Sequence, residues 1–271
     1  MKHPAGFIYE APEPQDFVLG AERSLEGKFG AKVELVPSGD WRPYLFDLIY
    51  SHQAPGYETN ACTVHGLLNA CELLANRVFG RTLDLSDRFV SALAGIDPQR
   101  GATPKTSADW FRKNWSVFEQ EWSTKEAKSA EEFYAVPSQV LKTLAVARGT
   151  EYDFGWEYVT ASKIHVQYAL RYSPVCMSVY LMRDENGLYY KPAGERDTHW
   201  LTCIAVLDNG NYIVLDSYPD EKGSYLKEIR SDFVPEMAMG YYLKTKVVVP
   251  SFFDQFMTLI YSILGLGTKI S

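Results

Sequence analysis

The 271-residue sequence has no CxxC pair, no excess of positive charge, no repeat and no long apolar run, and each absence removes a class of protein. Without paired cysteines at ribbon or redox spacing, a zinc ribbon and a thioredoxin-like site are excluded. Cys62, Cys71, Cys176 and Cys203 stand far apart. With 27 Lys and Arg against 34 Asp and Glu the formal charge is −7, and no basic cluster is present to neutralise a phosphate backbone, so nucleic acid is not an expected partner. No stretch of about 18 uninterrupted apolar residues offers a spanning helix. The first residues, MKHPAGFIYEAPEPQDF, lack the apolar core of a secretory signal, so reduced thiols in a cytoplasmic setting are expected. The five histidines are scattered, which predicts no metal site, and nothing points to a cofactor.

What the sequence does have is material for a core: 46% hydrophobic residues, with 14 Phe and 18 Tyr. Residues 1–38 are rich in Pro, Gly and charge and read as an extended arm. Asp40-Trp41-Arg42-Pro43 marks entry into a compact domain over 39–249. After the turn-rich segment 51–60, Val64, Leu67, Leu68, Cys71, Leu74, Ala75 and Val78 recur at steps of three and four, which predicts a long amphipathic helix. Thr59 or Asn60 is expected to cap it and Gly80 to end it. Further helices are expected over 86–95, capped by Ser86, and 106–114. Residues 125–172 read as helices separated by turns, around 137–148 and 160–171. Beyond Pro174 the period changes to two: strands are expected near 175–181, 198–207, 211–217 and 241–249, with turns at Glu185-Asn186-Gly187 and Asp208-Asn209-Gly210. Helices followed by an antiparallel sheet define an α+β class.

The chemistry concentrates on three residues. A thiol in the first turn of a helix sits at the positive end of the dipole, which favours thiolate, and Cys62 opens the long helix. Cys71 lies further along its apolar face and Cys203 within an apolar strand, so both read as core. His199 begins one strand and Asp216 ends the next, 216 − 199 = 17 residues apart and flanking the Asp208–Gly210 turn almost symmetrically. A carboxylate there would hold the imidazole Nδ1–H and leave Nε2 to take the thiol proton. His65, one turn after Cys62, shares its helix and is a poor base for geometric reasons. His52 and His165 have no supporting neighbours.

Taken together, these residues resemble the papain-like cysteine peptidases, in the broad group that includes the bacteriocin-processing peptidases. The order Cys62, His199, Asp216 is similar to theirs, as is a nucleophile opening a long helix. Asp40-Trp41-Arg42, Leu85-Ser86-Asp87-Arg88-Phe89-Val90, the segment Gly101–Trp115 and Asp216-Ser217-Tyr218 resemble family motifs, the last standing where the family has Asn-Ser-Trp or an Asp variant. The resemblance spans roughly residues 40–245 and implies a helical half, carrying the nucleophile helix, packed on a C-terminal antiparallel sheet. It also implies catalysis by Cys62, His199 and Asp216 on a peptide or protein substrate. The family's oxyanion-hole Gln stands six residues before the nucleophile; that position is Gly56 here. Gln53, at 62 − 53 = 9 residues, takes the role if the loop is three residues longer.

Two other readings stay open at this stage. A papain-fold protein without activity, serving as a binding or structural component of a larger assembly, resembles proteins found in phage genomes and would be virion-associated. Acyl transfer by the same three residues is the other. The last segment, 250–271, places Phe252, Phe253, Phe256, Ile260, Ile263 and Leu264 on one helical face. It is expected to form an amphipathic helix docking on the domain, on a partner chain or on a membrane surface.

Overall fold

The computed structural model describes residues 6–20, 31, 33–46, 48, 50 and 52–246. The proposed amphipathic helix over 250–271 lies outside the described residues. Six α-helices occur among the described residues: α1 (Cys62–Phe79), α2 (Asp87–Leu93), α3 (Pro104–Asn114), α4 (Ala130–Phe133), α5 (Gln139–Gly149) and α6 (Lys163–Ala169). The strands are β1 (Tyr152–Val159), β2 (Val175–Val179), β3 (Met182–Arg183), β4 (Tyr189–Tyr190), β5 (His199–Val206), β6 (Tyr212–Leu215), β7 (Leu226–Ile229) and β8 (Ala238–Thr245). They form one sheet in the order β1-β8-β2-β5-β6-β7-β4-β3, antiparallel except where β4 meets β7. The class is α+β, with α1 laid against β5, β8 and β2.

Helix α1 forms where the three-and-four spacing places it. Val64, Leu67, Leu68, Leu73 and Leu74 are all buried, each worth about 1.5–3 kcal/mol when removed from water. Gly80 closes the helix in the left-handed conformation (φ 63°), where a side chain would be strained. The start differs from the expected cap. Ala61 is the N-cap and gives no side-chain hydrogen bond. The Thr59 hydroxyl instead donates to the Gln53 carbonyl at 2.9 Å. Ser86 does cap α2, accepting from the Phe89 N–H at 3.1 Å, and Thr103 caps α3, with Pro104 in its first turn.

One close approach sets how near α1 comes to β5. A Cβ on Gly66 would lie 2.8 Å from Trp200 Cδ1, so only glycine lets α1 settle onto β5 at this depth. The Gly66 carbonyl is then reached by the Thr202 hydroxyl at 3.0 Å and the Cys176 thiol at 3.1 Å. This contact lies one helical turn from Cys62 and one residue from His199.

The stretch 125–172 is not wholly helical. Residues 152–159 form β1, which pairs with β8 along its full length and is covered by α3, α5 and α6. Nearly every residue in it is buried, so the polar face that marks a half-exposed strand is missing. The alternation of Tyr152, Phe154, Trp156 and Tyr158 was the available signal.

Candidate active site

Cys62 is the first residue of α1 and is fully buried. The two residues before it are set by an unusual backbone: Asn60 has φ 54°, a left-handed conformation in a residue other than glycine. It is held there by its side-chain amide, which donates to the Pro98 carbonyl at 2.7 Å, and by its N–H, which donates to Glu58 Oε1 at 2.9 Å. Ala61 supplies no competing side-chain acceptor to the first-turn N–H groups, so the positive helix end is turned toward the thiol.

His199 opens β5 and Asp216 follows the last residue of β6. Thr202 faces Leu215 and Cys203 faces Val214, so continuation of that register sets His199 across from Tyr218, and Asp216 one diagonal step away on the same face. The imidazole therefore meets the carboxylate with its far edge: Nε2 is 2.8 Å from Asp216 Oδ1. This corrects the expected orientation, in which Asp216 held Nδ1. The nitrogen left available to Cys62 is Nδ1, the one nearer the backbone. The Tyr218 ring lies beside the imidazole, with centroids 5.1 Å apart at 43°.

Burial opposes charge on His199, but the adjacent Asp216 carboxylate, its hydrogen bond and the neighbouring Cys62 outweigh it and raise the pKa from 6.5 to about 10. For Asp216, burial would raise the pKa, yet the charge and hydrogen bond of His199 and the Tyr218 N–H at 3.2 Å keep it below the ordinary carboxylate value. Each partner thus favours the charged form of the other.

Gln53 is also brought to this site, and the structure holds it at every polar atom. Its N–H donates to the Ser217 carbonyl (3.0 Å), and its Oε1 accepts from Ser217 Oγ (2.8 Å). Its amide nitrogen donates to Glu58 Oε1 (2.8 Å) and to the Tyr218 hydroxyl (3.0 Å), and Tyr218 in turn donates to Glu58 Oε2 at 2.7 Å. The loop between Gln53 and Cys62 is therefore spanned by a clasp of Gln53, Glu58 and Tyr218. Neither Glu58 nor the Tyr218 hydroxyl carried a spacing signal in the sequence.

His65 is directed elsewhere. Its Nδ1 lies 3.2 Å from Asp87 Oδ1, and burial drives its pKa down to about 3, so it is a neutral donor to Asp87. His52 lies edge-on to Tyr218, and His165 pairs with Ser162 on the surface. Cys71, Cys176 and Cys203 are free, buried thiols, and burial raises the pKa of each.

The N-terminal arm crosses this site. Ile8 N–H donates to the Ala102 carbonyl and Ala102 N–H to the Gly6 carbonyl, both at 3.1 Å, while Phe7 N–H reaches the Thr198 carbonyl at 3.4 Å. The Phe7 ring stacks on Trp200, with centroids 5.5 Å apart and planes at 9°. Gly6 sits so close to Asn60 that an added Cβ would be 2.5 Å from its carbonyl oxygen. Asn60 is two residues from Cys62 and Thr198 is one from His199, so residues 6–8 run between the segments that carry the two groups. Lys105 anchors the arm further along, with Glu13 at 2.6 Å and Asp16 at 2.9 Å.

The fold is similar to that of solved papain-like cysteine proteases. The chain is similar to xylellain, a cysteine protease from Xylella fastidiosa, with a TM-score of 0.63 and 15% identity, over 89% of this chain and 98% of that one. It is also similar to the bromelain protease from Ananas comosus, solved with the E64 inhibitor (TM-score 0.56, 20% identity, 76% of this chain and 98% of that one). The proform of the ragweed pollen cysteine protease Amb a 11 matches with a TM-score of 0.56 and 13% identity, over 79% and 68% of the two chains. No protein-family model matches the chain, and no curated protein matches it in sequence. These plant and bacterial structures lend no support to the phage-encoded kind raised by the sequence. Among the described residues no helix is long and apolar enough to cross a membrane.

Proposed function

We propose that the chain is a cysteine peptidase, or more broadly an amide hydrolase, in which Cys62 is the nucleophile, His199 the acid and base, and Asp216 the residue that orients His199. The observation that carries this reading is the buried His199–Asp216 pair, at 2.8 Å, beside a thiol that opens a long helix. In the reaction, the Cys62 thiol gives its proton to His199 Nδ1 as Sγ attacks the carbonyl carbon, and the carbonyl π pair moves onto oxygen. When that pair returns, the C–N bond breaks and the proton on His199 Nδ1 passes to the departing amine nitrogen. Water then attacks the thioester carbon, gives a proton back to His199 and expels the Cys62 thiolate, leaving the carboxylic acid product. The Cys62 N–H and the Gln53 amide are the donors proposed for the oxyanion, Gln53 exchanging its Tyr218 partner for the substrate oxygen.

The arm supports an extended peptide as the substrate class. The backbone groups of Ala102 and Thr198 that bind residues 6–8 are unspecific in sequence and would bind the main chain of another extended segment equally.

A second reading has an observation of its own. Cys62 is fully covered and both amide hydrogens of Gln53 are committed, which fits a papain-fold binding or structural component with no turnover. The experiment that separates the two is hydrolysis of a fluorogenic peptide library by the wild-type chain and by Cys62→Ala. Turnover that Cys62→Ala abolishes supports the peptidase. Absence of turnover under all conditions, or turnover that survives Cys62→Ala, sinks it. Acyl transfer is read in the same assay by adding an amine acceptor and measuring amide product against free acid.

A further inference from the structure

Asp216 presents a difficulty that the three proposed catalytic residues do not resolve. A carboxylate 1% exposed has two oxygens to satisfy and a full charge to keep out of water. His199 and the Tyr218 N–H both use Oδ1. Among the described residues, Oδ2 is met by the hydroxyl of Tyr189, which donates to it at 3.0 Å. Tyr189 is itself buried, at 4% exposure, on the short strand β4, far from Asp216 in sequence and joined to β7 through a single parallel pair with Ile229. Behind it stands a cation: the Arg183 guanidinium lies over the Tyr189 ring, 5.2 Å from its centroid, and its Nη2 is 3.4 Å from the phenol oxygen. Lys227, on β7, is a further cation whose charge favours the Asp216 anion.

We propose that Tyr189 is a positioning residue for the catalytic pair, holding Asp216 as an anion in the orientation that directs His199 toward Cys62, with Arg183 backing the phenol. This rests on the reading of His199 and Asp216 given above and deepens it. The geometry also accounts for an aspartate at a position where an amide would suffice to orient an imidazole. A buried carboxylate needs a second donor and a nearby cation, and β3 and β4 supply both. Charge-assisted hydrogen bonds are shorter and stronger than neutral ones, so the Tyr189 contact has most value when residue 216 carries a charge. The β3–β4 hairpin, which otherwise only extends the edge of the sheet, thereby acquires a part in the chemistry.

The test is a double-mutant cycle of Tyr189→Phe and Asp216→Asn, read by peptide hydrolysis and by NMR titration of the His199 imidazole in the full chain. The charged and titratable groups facing the pair are Cys62 and His65 from α1, Glu58 from the preceding loop, Tyr218, Arg183 and Lys227. All are retained in the variants. Tyr189→Phe keeps the ring. It is expected to lower kcat about tenfold with KM unchanged, and to raise the His199 titration by about half a unit, because the carboxylate charge then concentrates on the imidazole. In the Asp216→Asn background the same change is expected to cost less than about threefold and to leave His199 where it was. Equal losses in both backgrounds, or an unmoved His199 in Tyr189→Phe alone, would overturn the proposal. Because the titration needs no turnover, a chain that hydrolyses nothing still reports on Tyr189, so failure of the peptidase reading and failure of this one remain distinct.

Discussion

Gly66→Ala isolates the contact that brings α1, with Cys62, toward His199. The added Cβ would lie 2.8 Å from Trp200 Cδ1, 3.3 Å from Trp200 Nε1 and 3.5 Å from Cys176 Sγ. Real Cβ contacts start beyond the first of these distances, so α1 or the indole must yield by several tenths of an ångström. The indole is fully buried and pinned by the Phe7 ring on its face, so most of the movement falls on α1. Overpacking of this kind costs about 1–3 kcal/mol, and the better helix propensity of alanine returns about 1 kcal/mol. The net loss is then about 1 kcal/mol, a fall of roughly 2–4 °C in Tm for a domain of this size. Catalysis is affected far more, since a displacement approaching 1 Å between reacting groups can cost about a hundredfold in rate. The expected signature is a small thermal shift by calorimetry with a fall in kcat of between about ten- and a hundredfold. A variant that loses stability but keeps its kcat would refute the claim that this contact sets the Cys62–His199 geometry.

Other perturbations have equally definite outcomes. His199 is raised above its ordinary 6.5, so the stability contributed by its protonated form is complete below pH 6.5 and is lost as pH rises through about 10, read as a falling Tm over that range. Asp216→Asn removes the charge that opposes burial, and the alkaline limb of kcat/KM is expected to move down by more than about one unit; a limb that stays put contradicts the pairing. Phe7→Ala removes the stack on Trp200 that holds the arm across the site. It is expected to increase hydrolysis of an added peptide severalfold, and a decrease with unchanged Tm would show that the arm does not compete with substrate. Ser86→Ala deletes both the cap on the Phe89 N–H and the 2.6 Å bond to the Trp122 carbonyl. About 1 kcal/mol, read as a fall of roughly 2–4 °C in Tm, is the expected cost.

The parts of the fold that were legible in sequence are those marked by a regular apolar spacing or by turn and stop signals at their ends. Helix α1 carried its spacing and Gly80 its stop signal, and β5 and β6 were bracketed by the Asp208–Gly210 turn. Strand β1 is buried on both faces like β5, but it lies between helices α5 and α6 with no hairpin turn to mark it, and the aromatic alternation from Tyr152 to Tyr158 was the faint trace it left. At the candidate site, Cys62, His199 and Asp216 were legible because each sits at the start or just past the end of an element, while Gln53, in the loop before α1, was named from the family resemblance. The ring orientation of His199 was not, because it depends on a register that offsets His199 from Asp216 by a diagonal step. Glu58, Tyr189 and Phe7 were invisible for a different reason. Their roles come from contacts between segments distant in sequence, or from a clasp with no fixed spacing, and no local pattern encodes such contacts.

The central claim is that Cys62 is a nucleophile made reactive by His199. All four cysteines are buried, so labelling that selects one of them reports reactivity and not exposure. The most direct measurement is treatment of the full chain with a peptidyl epoxide, followed by intact mass and peptide mapping, for the wild type and for His199→Ala. The account predicts a single adduct on Cys62 in the wild type and its loss in His199→Ala. An adduct distributed over Cys71, Cys176 or Cys203, or labelling of Cys62 that persists unchanged without His199, would contradict it.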